Sequence, residues 1–241
     1  QKRMWFMDKL RPDSVAYNLP FALKIQGALD ISAAEQAFQS MINRHEVLRT
    51  VYVEQDGHAY QQILPPVHWQ FSREDLTYLK EPALSKAVRD RIDAEARKPF
   101  NLATGPVIRT HVLRLPDQQA DALKGRAAEQ YLLLVTMHHI AADGFSLKVI
   151  TDEISLAYEA AISDGASRLP NLEIQYADYA QWQKNLFDSG LLNDQLDYWL
   201  THLRDVPVLD LPLDHPRPPE QSFQGSNYYF QIPKEQVTAL K

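Results

Sequence analysis

The chain has 241 residues, of which 45% are hydrophobic and 23% charged, with a net charge of −6 and no cysteine. This is the composition of an ordinary soluble globular protein, long enough to bury its own core. It excludes disulfides, thiolate metal sites and a cysteine nucleophile, lacks the basic surplus of a nucleic-acid binder, and has no apolar run of the ~18–20 residues a membrane span needs.

In chain order, Met4, Trp5, Met7 and Leu10 fall near helical spacing and predict a short first helix, broken at Arg11-Pro12-Asp13-Ser14. Trp5 and Phe6 are expected in the core. Tyr17 to Gln26 alternates as a strand, with Leu19, Phe21, Leu23 and Ile25 on one face. Ser32-Ala33-Ala34-Glu35 reads as a capping box opening a helix with the stripe Ala34, Phe38, Met41 and Ile42. Leu48 to Leu64 reads as a hairpin, Val51–Glu54 against Ala59–Leu64, turning at Asp56-Gly57. Ala83 to Arg97 is a charged amphipathic helix ended by Pro99-Phe100-Asn101-Leu102. Val107 to Leu115 is a second long strand, and Pro116 to Gln130 an exposed polar excursion.

Tyr131 to Met137 is apolar but for Thr136, which predicts a strand covered on both faces at the centre of a sheet. Phe145 to Ile162 is a helix ended by Ser163-Asp164-Gly165. Tyr176–Phe187 and Leu191–Leu203 are helical, Pro207 to Pro219 is a proline-rich extended connector, and Phe223 to Ile232 opens a new strand. Tyr176, Tyr179 and Trp182, three residues apart, are expected to pack one helix face. The start at Gln1, with no initiator methionine or signal peptide, is expected of a piece of a longer polypeptide.

The chemistry concentrates where the central strand ends. His138-His139-Ile140-Ala141-Ala142-Asp143-Gly144 places two histidines at the strand end and an Asp-Gly at the start of a helix. Adjacent strand residues face opposite sides, so one histidine can face a cavity while the other faces the interior. An ordinary histidine titrates near 6.5 and can take a proton from an amine or hydroxyl at neutral pH. Asp143 either caps the turn or pairs with an arginine, and Gly144 leaves room for a close backbone approach. The bland alternative is two packed histidines and a turn aspartate. A zinc site would need a further ligand that no nearby pattern supplies, and no Gly-x-Ser-x-Gly marks a serine hydrolase.

The run Met137 to Ser146 resembles the core motif of nonribosomal peptide synthetase condensation domains, a pattern shared with chloramphenicol acetyltransferases. Three further segments, in the expected order, resemble other motifs of that family: Gln1 to Met7, Arg44 to Tyr52, and Tyr176 to Trp182. The resemblance implies an α/β fold, an α+β two-layer sandwich: a chloramphenicol acetyltransferase-like lobe with a central mixed sheet flanked by helices. The implied division is an acyltransferase-like lobe over 1–172, then connecting helices, a proline-rich connector and the start of a truncated second lobe over 173–241.

The activity implied is attack by an acceptor aminoacyl amine on a donor acyl or peptidyl thioester. The resemblance makes His139 the chemically important histidine, with His138 and Gly144 beside it. It places Asp143 in a structural salt bridge with Arg49, Arg44 standing in reserve. No cofactor is expected to bind directly, because substrates arrive on the 4′-phosphopantetheine arms of carrier proteins. The implied partners are an upstream donor and a downstream acceptor carrier protein and an adenylation domain, in the cytoplasm, with neither nucleic acid nor membrane. His138 in place of aspartate disfavours a heterocyclisation domain, and Leu147-Lys148 in place of Trp-Arg an epimerisation domain. The run Ala141 to Leu147, with Ala16-Tyr17-Asn18, resembles domains joining two L-residues, a domain accepting a fatty-acyl or polyketide donor stays open, and a piece of this length is expected to be inactive alone. The alternatives are a stand-alone acyltransferase of the same superfamily and a non-catalytic recruiting module.

Overall fold

The computed structural model describes residues 1–118, 128–163, 165, 169–219 and 230–240. It resolves into two compact units, Gln1–Asn193 and Asp194–Lys241.

In the first unit, helix α1 (Lys2–Leu10) leads into strand β1 (Asn18–Gln26), helix α2 (Ile31–Arg44) and a 3-10 turn at Glu46–Arg49. Strands β2 (Thr50–Gln55), β3 (His58–Ile63) and β4 (Ser72–Asp75) follow, then helix α3 (Ala83–Ala96) and strands β5 (Ile108–Gln118) and β6 (Ala128–His138). Helices α4 (Gly144–Ile162) and α5 (Tyr176–Asp188) complete it.

Four strands form a mixed sheet in the order β1-β6-β5-β4, antiparallel except for the β4–β5 pair. β6 is an inner strand, between β1 and β5, as its largely apolar run predicts. Tyr131, Leu133, Val135 and Met137 face the α2 and α4 side, where they pack with Phe38, Met41, Ile42 and Ile150. Leu134 and Leu132 face the other way, toward Leu84, Val88 and Ile92 of α3. Phe38, 1% exposed, meets Phe71 edge-on at 5.1 Å, and burying a side chain of that size stabilises by roughly 1.5–3 kcal/mol.

The hairpin β2–β3 turns where predicted. Asp56 and Gly57 both adopt positive φ, 51° and 74°, the pair a tight type I′ turn requires. Trp5, Tyr52, Phe100, Leu102, Val107 and Ile140 form a separate apolar cluster beside this hairpin.

Several expectations need correction. The N-cap of α2 is Asp30, whose carboxylate accepts from the Ala33 N–H at 2.9 Å, and not Ser32. Aspartate caps as well as serine, and Glu35 has better partners: its carboxylate accepts from the Phe71 N–H and from Arg73. Phe6 is 54% exposed: one residue along a helix is a turn of about 100°, which takes it off the stripe that buries Trp5. Tyr176, Tyr179 and Trp182 are also exposed, and stack on one another at 5.6 Å spacings instead of entering the core. The 3-10 turn and β4 had no sequence signal: both are short, and β4 (Ser-Arg-Glu-Asp) is polar throughout.

In the second unit, α6 (Asn193–His202) begins at the boundary, and Tyr198 stacks on His202 at 5.5 Å. Neither helix nor strand occurs from 203 to 219, as the prolines dictate, and α7 spans Lys234–Leu240. The strand expected over Phe223–Ile232 falls mostly outside the described residues, as do 119–127 of the polar excursion and Asp164.

Candidate active site at the end of the central strand

β6 delivers the two histidines to different environments. His138, its last residue, pairs in register with Asn18 of β1 and donates its backbone N–H to Val107 O at 2.9 Å. Its ring is 3% exposed, lying between Tyr17 at 6.0 Å and the edge-on ring of Phe100 at 5.9 Å. Burial, with a smaller contribution from neighbouring His139, pushes its pKa down to about 4, so it is neutral at pH 7. The Ile140 N–H donates to its Nδ1 at 3.0 Å, so the ring proton sits on Nε2.

Phe100 is itself held from behind. The Arg109 guanidinium lies 3.8 Å from its ring centroid and donates to the carbonyls of Glu95 and Lys98 at the end of α3. The Asn18 side chain donates to the Ala96 and Lys98 carbonyls beside it.

His139 is half-buried and begins the turn. Its N–H donates to Tyr17 O at 2.8 Å, which carries the β1–β6 ladder one residue past the strand. Its Nδ1 is buried and has no hydrogen-bond partner among the described residues. Within the histidine motif this ring nitrogen is the buried side-chain atom left without a hydrogen bond among the described residues, and buried polar atoms are seldom left so without a function.

Asp143 ends the turn as the N-cap of α4. Its Oδ1 accepts from Ser146 N–H at 2.9 Å and Ser146 Oγ at 2.8 Å, while its own N–H donates to that Oγ at 3.0 Å. Hydrogen bonds from the Ser146 backbone and hydroxyl hold its carboxyl below the usual aspartate value. Gly144 opens the helix, and a Cβ built there would meet nothing within 4 Å, so the side next to Asp143 is open.

The expected pair of Asp143 with Arg49 is therefore not formed, nor is one with Arg44. The carboxylate is committed to the helix cap, and each arginine is committed elsewhere. Arg49 donates to Leu64 O and lies 3.3 Å from Glu46. Arg44 reaches α4 ten residues beyond the cap, pairing with Glu153 at 3.1 Å, and the same carboxylate holds His45 Nε2 at 2.6 Å. Gln175, just before α5, accepts from Glu46 N–H and donates to Arg44 O.

Glu153 was not singled out from the sequence. Its signal was a carboxylate on the buried stripe Ile150, Glu153, Ala157 of an otherwise apolar helix face. Gln1 was also missed as a site residue. Its side chain reaches Ile140 O from the far end of the chain, a contact no local pattern encodes. A cleft of about 360 Å³ runs between Trp5, Asp8 and Tyr52 on one side and Phe100–Ala103 on the other, and no residue of the histidine motif lines it. Among the described residues no helix is long and apolar enough to cross a membrane.

A central mixed sheet flanked by helices, with a histidine pair at the end of its middle strand, defines the chloramphenicol acetyltransferase-like class. Within that class, the condensation-domain family model matches residues 1–241, and the chain belongs to that family. A linear gramicidin synthase of Brevibacillus parabrevis is 38% identical over 243 residues, which cover 100% of this chain and 3% of the relative. Phosphinothricin tripeptide synthetase PhsC of Streptomyces viridochromogenes is 34% identical over 242 residues, covering 100% of this chain and 21% of that protein.

Among solved structures, the X-domain from teicoplanin biosynthesis superposes with a TM-score of 0.75 at 27% identity, over 90% of this chain and 45% of that one. The starter condensation domain of rhizomide synthetase RzmA gives 0.71 at 22% identity, over 86% and 47%, a likeness of fold. The chain thus spans under half of these structures and a small share of the curated relatives.

Proposed function

We propose that the domain to which this chain belongs forms an amide bond between two thioester-bound substrates, with His139 as the group that meets the attacking amine. The observation that carries this reading is the contrast within the pair: His138 has its ring buried and its Nδ1 engaged, whereas His139 is half-buried with an unpartnered nitrogen. The acceptor amine attacks the donor thioester carbonyl carbon, a C–N bond forms and the C–S bond breaks. The proton lost from nitrogen passes to the departing sulfur, and His139 is placed to relay it. Holding both substrates in line at this turn supplies much of the rate, since well-oriented reactions reach effective molarities of ~10⁵ M or more.

His138 and Asp143 serve as framework in this reading: His138 fixes the turn and Asp143 caps α4, while Gly144 keeps the approach clear. Arg49 and Arg44 hold the second motif against its neighbours. The substrates ride on 4′-phosphopantetheine arms of a donor and an acceptor carrier protein, in the cytoplasm, with an adenylation domain in the same synthetase. The names of the gramicidin and phosphinothricin relatives support a synthetase setting, and the run Ala141 to Leu147 with Ala16-Tyr17-Asn18 supports joining of two L-residues. Residues 1–172 form the acyltransferase-like lobe, and 173–241 lead into the second.

The test uses the complete condensation domain with donor and acceptor carriers loaded with aminoacyl thioesters, followed by intact-protein mass spectrometry. Wild type yields a dipeptidyl acceptor and His139→Ala does not. Equal product from both removes His139 from the chemistry. Absence of product from wild type, with loading confirmed, favours a recruiting role or a different donor class; the similar X-domain from teicoplanin biosynthesis has been solved in complex with OxyB.

A further inference from the structure

The turn that carries His139 is held by more than its own strand. Ile140, the next residue, is 3% exposed, and both of its backbone polar groups are taken by side chains. Its N–H donates to His138 Nδ1 at 3.0 Å. Its carbonyl accepts from Gln1 Nε2 at 3.0 Å. The remaining valences of that carboxamide are also used: Nε2 donates to the Tyr52 hydroxyl at 2.9 Å, and Oε1 accepts from Gln61 Nε2 at 2.8 Å. A carbonyl can only accept, so the atom of Gln1 facing Ile140 must be the amide nitrogen.

Gln1 is the N-cap of α1, and its backbone carbonyl accepts from Trp5 N–H at 2.9 Å. Its side chain makes no capping bond to its own helix and crosses to the turn instead. Tyr52 and Gln61 belong to the two strands of the hairpin, so the carboxamide ties the first helix, the hairpin and the histidine turn at one point. Tyr52 is 3% exposed, and burial raises its phenol pKa well above the usual value, so it stays protonated.

From this we infer that Gln1 is a positioning residue for His139. It clamps the carbonyl of the Ile140–Ala141 peptide, whose Ala141 N–H donates to His138 O at 3.0 Å, while His138 Nδ1 clamps the Ile140 N–H of the peptide before it, so the turn that follows His139 is held at both peptides. Without Gln1 the Ile140–Ala141 peptide keeps one fixed end, and the His139 ring loses its defined approach to the substrate amine. The inference rests on the amide-forming reading above, and its consequence is specific. The Gln1 side chain touches the histidine turn and the hairpin, so the loss is expected to fall on turnover.

The experiment places Gln1→Glu and Gln1→Met in the complete condensation domain. Glutamate keeps the length and the oxygen for Gln61 but turns a donor at Ile140 O into a repelling oxygen. Methionine removes all three hydrogen bonds without adding a charge. With loaded carriers, kcat is expected to fall about 10- to 100-fold in both variants, the range a misplacement of ~1 Å produces, with KM for the acceptor carrier within about twofold. In domain labelled with ¹⁵N-histidine, the His139 ring resonances are expected to shift or broaden, whether or not product forms.

Unchanged kcat in a folded variant overturns the inference, as does a rise in KM at constant kcat. Should Gln1→Glu fail to fold, Gln1→Met decides alone. If wild type makes no amide, the functional reading fails, and the ring resonances still decide the clamp: identical spectra in wild type and Gln1→Met refute it.

Discussion

Replacing Asp143 separates two readings of the aspartate in the histidine motif, a helix cap or the counter-ion of a buried arginine. In the structure its Oδ1 accepts from Ser146 N–H at 2.9 Å and Ser146 Oγ at 2.8 Å. Asp143→Ala removes the cap of the 19-residue helix α4, which costs about 0.5–2 kcal/mol. Asp143→Asn keeps an oxygen in the same place. It gives up only the favourable charge at a helix N-terminus, about 0.3–1 kcal/mol at an exposed site. For a chain of this size 1 kcal/mol moves Tm by about 2–4 °C, so alanine should lower Tm by ~1–8 °C and asparagine by ~4 °C at most.

The assay is thermal and urea unfolding of the chain by circular dichroism, with both variants side by side. A counter-ion would behave in the opposite way. Asparagine would leave the Arg49 guanidinium uncompensated, and stripping a buried pair of one partner costs about 3–5 kcal/mol. An asparagine variant destabilised as much as the alanine variant, or more, would refute the cap assignment and restore the salt bridge.

Two further perturbations follow from groups with settled partners. His138 has a folded pKa pushed down to about 4 from 6.5, so below pH ~6.5 the unfolded chain binds its proton first. Stability should therefore decline as pH falls through that window, by at most ~1.4 kcal/mol per pH unit, and level off near pH 4. In His138→Gln this part of the slope should vanish in urea titrations. Glu153→Gln strips Arg44 of its counter-charge and His45 Nε2 of a carboxylate partner. Because their side chains keep 15% and 21% exposure, the cost should be about 2–4 kcal/mol, below that of a fully buried pair. Adding Arg44→Met should return part of it, and strict additivity in that cycle would show the pair to be uncoupled.

The amino-acid sequence by itself determined the elements whose signal is periodic or local. The run Tyr131–Met137, apolar but for Thr136, predicts a strand covered on both faces, and it is one of the two inner strands of the sheet. Asp56-Gly57 could only be a tight turn, and the stripe Ala34, Phe38, Met41, Ile42 could only face a core. The alternation of sides along a strand already required that His138 and His139 differ in environment. Even the capping role of Asp143 was one of the two options open from the residues alone, and the other, carried over from the family resemblance, is the one the geometry does not support.

Tertiary structure decided which distant groups meet. Glu35 looked like a capping-box residue and instead serves β4, because the edge strand presents an N–H and an arginine within its reach. Arg44 looked like a reserve partner for Asp143 and instead meets Glu153, because the end of α2 crosses α4 in mid-helix. Gln1 reaches the carbonyl of Ile140, 139 positions along the chain. Such contacts depend on how helices and hairpin are set against the sheet, and hydrogen bonds between side chains so far apart leave no periodic trace in the sequence.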